Sequence, residues 1–288
     1  MKREKVRYVR LDPEGNITCL VLSRVPPEER ERVTAVLMDR CEQVGYLVPP
    51  ASREAAAGLQ MMGGEFCGNA AMATAAWLAA GKDPESLVEQ EMLLEVSGAE
   101  KPVACRVRKE GRDWLASVEM PLPLGTEPCE ILGEKLEAVH LPGMVHLIRR
   151  GDGLSRERAE QMLRAAAEIF PEPAAGLLQW QAEESEGKAP CGVQRAELLS
   201  GRLIPLVWVR ESRTLVWEAA CGSGTAAAAC LESIRRGASL AVSARQPGGG
   251  RLQAETLWGP EGIRWVTLSG RIRMEAPALL DEEMLERS

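Results

Sequence analysis

The sequence predicts an α+β fold of two similar lobes, and three observations carry that prediction. First, the inferred elements run strands, helix, strands, cysteine helix, strands, and then run through the same order again. The halves are not sequence repeats; what recurs is the pattern. Second, each half contains a Cys-Gly-polar turn in front of a helix of small residues. These are GGEFCGNAAMATAAWLAAG (Gly63–Gly81) and WEAACGSGTAAAACLESIRRG (Trp217–Gly237). Third, the chain has 288 residues, long for one compact domain and comfortable for two of about 140 each. The proline-rich MPLPLGTEP (Met120–Pro128) is the natural boundary.

The elements follow from local patterning. KVRYVRL (Lys5–Leu11) alternates as a strand. DPEGN (Asp12–Asn16) is a turn, and ITCLVLSRV (Ile17–Val25) is a second, β-rich strand. PPEERERVTAVLMDRCEQ opens with Pro26 and Pro27 and then acidic residues, which suits a helix N-terminus. Its PPEERER start reads as a solvated face. VGYLVPP is the next strand, and after the first cysteine helix three strands follow, LVEQEMLLEVSG, PVACRVRKEG and DWLASVEMPLPL. In the second half, EKLEAVHLPGMVHLIRRGD holds strands. SRERAEQMLRAAAEIF is an amphipathic helix capped by Ser155 and stopped at Pro171. CGVQRAELLSGRLIPLVWVRESRTLVWE is rich in strand, and LQAETLWGPEGIRWVTLSGRIRMEA closes the chain with more. PEPAAGLLQWQAEESEGKAP (Pro171–Pro190) reads as a long loop. The seven tryptophans lie mostly in strands and read as core.

Composition narrows the function. The net charge is −7 with no basic stripe, so nucleic acid is not an expected partner. No apolar run approaches the roughly 20 residues of a membrane span. MKREKVRYVRL is charged and alternating and has no apolar core, so it reads as a strand and not a signal peptide. A cytoplasmic protein with its eight cysteines reduced is therefore expected. The cysteines are scattered, with no C-x-x-C pair, and only two histidines exist, His140 and His146. Neither a metal site nor a cofactor is predicted. Cys19, Cys41, Cys105, Cys129, Cys191 and Cys230 read as small buried hydrophobes. His146 reads as a structural histidine, and Glu65 and Glu218 as structural carboxylates near the site cysteines.

Cys67 and Cys221 are different. The first N–H groups of a helix lack internal partners, and with the aligned peptide dipoles they make its N-terminus positive. A thiolate there is stabilised, so the thiol pKa is expected to fall below about 8.5. The same N–H groups can hold a carboxylate. The glycines beside each cysteine let a ligand approach the backbone. One such cysteine is a weak signal, but one in each half of the chain suggests two halves of a single site. Moving a proton from one face of a carbon to the other needs two acid/base groups, one starting as thiolate and one as thiol. Two helix N-termini on one carboxylate would stabilise the charge that develops when the α-proton leaves. That chemistry is racemisation or epimerisation of an amino acid without pyridoxal phosphate.

At these residues the sequence resembles the diaminopimelate epimerase family of cofactor-independent amino-acid racemases, over nearly the whole chain. EFCGNAA is similar to the family's first cysteine motif and ACGSGTA to its second. EGNITCLVL resembles the strand that carries a substrate-contacting asparagine, here Asn16. EQVGYLVPP resembles a segment with a substrate-side glutamine, here Gln43, with Glu42 beside it. QPGGGRL (Gln246–Leu252) is similar to a turn near the family's C-terminal end. The resemblance implies that Cys67 and Cys221 are the acid/base thiols, and that Gly68, Asn69, Gly222 and Ser223 hold the α-carboxylate through their backbone. It implies two lobes, each a β-barrel or curled sheet wrapped on a central helix. Residues 1–125 plus 275–288 would form the first lobe and 126–274 the second. It also implies a homodimer. If Cys67 and Cys221 approach within about 7 Å between Cα atoms they could form a disulfide.

Departures from the family pattern bear on substrate. The Glu-Arg pair expected upstream of the second cysteine is missing from VRESRTLVWEAAC. Met144, in GMVH, stands where an asparagine is expected, and the first motif ends CGNA. Replacing asparagine by methionine would strip hydrogen bonds from a buried zwitterionic substrate end, which is costly. GNIT, EQVGYL and GGEFCGNA are closer to the histidine racemase branch, known from opine metallophore pathways, where Glu42 or Gln43 would contact the imidazole. The expected activity is an isomerase interconverting D- and L-histidine. The alternatives are a diaminopimelate epimerase, an inactive amino-acid-binding homologue, and an isomerase of a non-amino-acid ligand.

Overall fold

The structure, a computed structural model, describes residues 5–82, 88–151, 153–183 and 197–280. Among them are seventeen strands and four helices. The chain divides into two compact units, residues 1–118 with 269–288, and residues 119–268.

The first unit opens with β1 (Arg7–Pro13), β2 (Thr18–Val21), α1 (Pro27–Leu37), β3 (Gln43–Val48) and β4 (Ala55–Met61). It continues with α2 (Gly68–Lys82), β5 (Gln90–Val96), β6 (Val103–Glu110) and β7 (Asp113–Glu119). β1 and β2 pair antiparallel. The chain then crosses through α1 so that β2 and β3 pair parallel. β3 and β4 are antiparallel, and a second crossing through α2 makes β4 and β5 parallel. β5, β6 and β7 form a meander.

The second unit contains β8 (Gly125–Ile131), β9 (Glu134–Leu141), β10 (Met144–Arg150), α3 (Arg156–Ile169), β11 (Ala174–Glu183) and β12 (Glu197–Val209). After these come β13 (Thr214–Trp217), α4 (Gly222–Arg236), β14 (Leu240–Arg245), β15 (Arg251–Gly259) and the start of β16 (Gly262–Met274). β10 and β11 are parallel across α3. β11 and β12 are antiparallel, β12 and β14 parallel across α4, and β14 and β15 antiparallel. The order parallel, antiparallel, parallel, antiparallel is therefore the same in both units, with α2 and α4 in equivalent places. The end of β16 and β17 (Ala278–Leu279) pair with β1 in the first unit.

Each unit has one helix with a buried apolar stripe and one small-residue helix that is mostly buried. α1 buries Val33, Val36 and Leu37, an i, i+3, i+4 stripe. They pack with Tyr8, Val21, Val44 and Tyr46. The PPEERER segment is exposed except at the partly covered Arg30 and Arg32. α3, capped by Ser155 Oγ accepting from Arg158 N, buries Ala159, Met162, Leu163, Ala166 and Ala167. A helix whose residues are mostly small can be covered on most of its faces. α2 accordingly buries ten of its fifteen residues and contacts β1, β2, β5 and β6. α4 buries eleven of fifteen and packs chiefly on β14 and β15. Alanine side chains are small enough for a helix to sit close to several strands at once.

Three local expectations change. The alanine-rich segment 55–61, assigned to no element from the sequence, is strand β4, because pairing on both sides overrides weak β propensity. Residues 174–183, read as the middle of a long loop, are strand β11, and residues 184–190 lie outside the described residues. Leu177, Leu178 and Trp180 are fully buried and paired on both edges. An apolar run without alternation gives no strand signal when both faces are covered. The tryptophans also split: Trp114 and Trp180 are core, whereas Trp77, Trp208, Trp217, Trp258 and Trp265 are only partly covered.

Candidate active site

Both predicted cysteines sit immediately before the small-residue helices α2 and α4 and cap them in the same way. Cys67 Sγ accepts from Ala70 N at 3.4 Å, and Cys67 O accepts from Ala71 N at 3.0 Å. Cys221 Sγ accepts from Gly224 N at 3.3 Å, and Cys221 O accepts from Thr225 N at 3.1 Å. In each case a sulfur takes the third N–H of the first turn, the place a serine or aspartate cap usually fills. The first-turn backbone of Gly68 and Asn69, and of Gly222 and Ser223, lies beside these sulfurs.

Within the first unit the structure brings Asn16, Glu42, Gln43 and Cys67 into linked contacts. Cys67 Sγ donates to Gln43 Oε1 at 3.0 Å. Gln43 Nε2 donates to Thr18 Oγ1 at 2.7 Å, and Thr18 Oγ1 in turn donates to Asn16 O at 3.5 Å. Asn16 Nδ2 donates to Glu42 Oε2 at 2.9 Å. The parallel register of β2 and β3 sets Thr18 opposite Gln43 and so aims Gln43 at the sulfur. Asn16 is buried, and its Oδ1 has no hydrogen-bond partner in the described structure. Such an acceptor is costly unless a ligand supplies the donor. Thr18 was not legible as a site residue: a threonine inside a β-rich run carries no signal of its own.

In the second unit Cys221 is almost wholly buried. Burial raises its pKa well above 9.0, and the charge of Glu218 pushes the same way. Hydrogen bonds from Ser223 and Gly224 N pull it down without offsetting burial. This corrects the expectation of a lowered pKa: a helix N-terminus supplies about half a charge, less than full desolvation removes. It also gives Glu218 an electrostatic role beyond the structural one read from sequence. Ser223 Oγ lies 3.5 Å from Cys221 Sγ and 3.0 Å from His146 Nε2. Gln246, fully enclosed, accepts from Cys221 N at 3.0 Å and donates to Thr225 Oγ1 and Ala244 O, both at 3.1 Å. It thereby fixes the start of α4. Gln246 entered the sequence reading only as part of a turn, and nothing in QPGGG marks it as a strut.

His146 is structural in the sense of being enclosed, but it also supports the site through Ser223. A Cβ on Gly176 would stand 2.4 Å from His146 Nδ1, so that glycine makes room for the imidazole. Burial lowers the His146 pKa from 6.5 to about 3. The folded state therefore holds the ring neutral while the unfolded chain protonates it below pH 6.5. Its contribution to stability is complete above that pH and is lost as pH falls toward 3. By linkage, wild type should lose roughly 2–3 kcal/mol more than His146→Gln between pH 7 and pH 4.5. Urea titrations of both proteins at the two pH values would check this, and parallel losses would refute it.

Among the described residues, no group of three or more His, Cys, Asp and Glu side chains could hold a metal ion. No helix there is long and apolar enough to cross a membrane.

Comparisons with known proteins give a consistent pattern. Residues 5–278 match the family model described as the histidine racemase CntK N-terminal domain. A histidine racemase of Staphylococcus aureus is 27% identical over 260 residues, 86% of this chain and 88% of that protein. A histidine racemase of Fusobacterium nucleatum is 27% identical over 236 residues, covering 78% and 80%. A crystal structure of a hydroxyproline epimerase from Agrobacterium vitis, with bound trans-4-hydroxy-L-proline, superposes with a TM-score of 0.66. It is 14% identical and covers 99% of this chain and 95% of its own, so it speaks for a shared fold.

Proposed function

Because the chain belongs to the histidine racemase family, we propose that it interconverts L- and D-histidine by a two-base exchange between Cys67 and Cys221. One observation carries the reading: two cysteines cap topologically equivalent helices with the same sulfur-to-N–H contact. In the step, one thiolate takes the Cα proton from one face. The Cα–H electron pair moves into the carboxylate, and the other thiol returns a proton to the opposite face. Thiolate and thiol have then exchanged places, and the reverse reaction starts from that state. The proton shuttle uses protein thiols alone.

Burial and Glu218 favour the thiol form of Cys221, which suits it to donate the proton in the direction of turnover in which Cys67 is the base; in the other direction the two roles are exchanged. The first turns of α2 and α4 would carry the α-carboxylate through Gly68, Asn69, Gly222 and Ser223, where dipoles aimed at developing charge have most effect. Glu42, with Asn16 beside it, would accept the imidazole N–H, and the unpaired Asn16 oxygen suits a second substrate donor. The reading extends to lobes closed on their helices as in the diaminopimelate epimerases. It also includes a homodimer, which sedimentation would test.

Solvent deuterium incorporation at Cα of L-histidine tests the activity, with LL-diaminopimelate run alongside. Turnover of diaminopimelate alone would reverse the substrate assignment, and tight histidine binding without exchange would favour a binding protein. Glu42→Ala should raise KM for histidine about 10- to 100-fold, the loss of a hydrogen bond to a charged group, with a smaller change in kcat. An unchanged KM would remove Glu42 from the substrate contact.

A further inference from the structure

In a two-base exchange Cys67 is a thiol in one state of the protein and a thiolate in the other, so the groups at its sulfur must suit both. The contacts in the first unit suit the thiol. Cys67 Sγ donates to Gln43 Oε1 at 3.0 Å, Gln43 Nε2 donates to Thr18 Oγ1 at 2.7 Å, and Thr18 Oγ1 donates to Asn16 O at 3.5 Å. Every proton in this chain of bonds points inward from the sulfur. A thiolate in the same place would face the amide oxygen with no proton between them, and two acceptors in contact repel.

The chain of bonds can be reversed. A carboxamide carries an acceptor oxygen and a donor NH2 of similar size, and a hydroxyl both donates and accepts. The last side-chain torsion of glutamine is roughly two-fold, so a turn of about 180° puts Nε2 on the sulfur and Oε1 on Thr18. Thr18 then donates to Oε1 instead of to Asn16 O. The bond given up is the longest of the three, and longer than a good O–H···O bond. Thr18 is fully buried and lies opposite Gln43 in the β2–β3 register, which fixes the inner end.

Resting on the two-base reading above, we propose that the Gln43 carboxamide is a two-position hydrogen-bond switch for Cys67, with Thr18 as its positioning residue. The amide oxygen accepts from the thiol, and after rotation the amide N–H donates to the thiolate. A hydrogen bond to a charged partner is the stronger of the two, so on balance Gln43 favours the thiolate. Cys221 has a simpler counterpart. The Ser223 hydroxyl, 3.5 Å from its sulfur, needs only to rotate its O–H to change from acceptor to donor.

Iodoacetamide alkylation of Cys67 in the substrate-free full chain tests the switch. The thiolate is the reacting form, and labelling is read on the tryptic peptide Glu54–Lys82, whose one cysteine is Cys67. Gln43→Met removes the amide at similar volume. It should slow alkylation at pH 7 about 3- to 10-fold, the loss of a hydrogen bond to a charged group damped by the greater nucleophilicity of a less acidic thiol. The rise of the rate with pH should also move to higher pH. Thr18→Val removes one hydrogen bond from each state alike and should stay within about 2-fold of wild type. An amide fixed by Thr18 with its oxygen on the sulfur gives the opposite result: both variants would react faster than wild type, which would overturn the proposal. So would a Gln43→Met rate equal to that of wild type, which leaves Gln43 as a substrate contact only. Cys105, buried in β6, stays unlabelled in folded protein and reports the fold of each variant in the same digest. The readout involves no turnover, so a failed switch leaves the racemase activity standing, and a failed racemase assay leaves the order of alkylation rates unchanged.

Discussion

Cys67→Ser and Cys221→Ser are each expected to lower histidine turnover by about 10²- to 10⁴-fold, the usual contribution of a general acid or base. Serine keeps the shape but has a hydroxyl that neither gives nor takes a proton readily near neutrality. Folding should be nearly unaffected. Each sulfur caps a helix by accepting the N–H of Ala70 or Gly224, and a serine oxygen is a favoured acceptor there. Stability within about 1 kcal/mol of wild type is therefore expected for both variants. That separates a chemical loss from a structural one. Chiral chromatography of D-histidine formed from L-histidine, with urea denaturation of the same samples, gives both readings. Unchanged turnover in either variant would sink the two-base mechanism.

Gly98→Ala should cost about 2–4 kcal/mol and displace Cys67. Gly98 has φ +74°, and a Cβ there would stand 2.4 Å from Phe66 N and 2.8 Å from Glu65 C. These are backbone atoms of the segment leading into Cys67, so no side-chain rotation relieves the clash. The neighbouring Ser97 ties the same segment down: its Oγ donates to Glu65 O at 2.8 Å and accepts from Met61 N at 2.9 Å. The turn after β5 thus holds the approach to the cysteine. Gly111→Ala is the control. Its φ is +64°, but nothing lies within 4 Å of the added Cβ, so only the backbone cost of roughly 1–2 kcal/mol applies. Equal losses in the two variants, measured by urea denaturation, would show that the contact with Phe66 is not what Gly98 serves.

The legible and illegible parts of the site differ in range. A helix that opens at Cys67 or Cys221 is a local event: a turn of Gly and polar residues followed by small helix formers marks it over about five residues. The contacts between sulfur and N–H are equally local, three residues apart. The stripe of α3 was readable for the same reason, since one face of the helix repeats at i, i+3 and i+4. Strands β4 and β11 were not, because nothing within AAAGLQM or AAGLLQWQAE says that neighbours cover both edges.

What the sequence by itself determined is the pair of small-residue helices, each with a cysteine at its mouth, and the repeated order of elements around them. Local propensity, capping and periodicity act within a turn or two, so they are written in neighbouring residues. Tertiary structure alone decided what each sulfur meets beyond its own helix. Gln43 reaches Cys67 because β2 and β3 pair in parallel register. Gln246 is drawn under Cys221 from 25 residues away, and His146 reaches Ser223 across 77. The Cys221 pKa is the clearest case. The helix N-terminus favours the thiolate, but enclosure and Glu218 favour the thiol and prevail. Desolvation depends on what the rest of the fold packs around a group, and no short stretch of sequence records that.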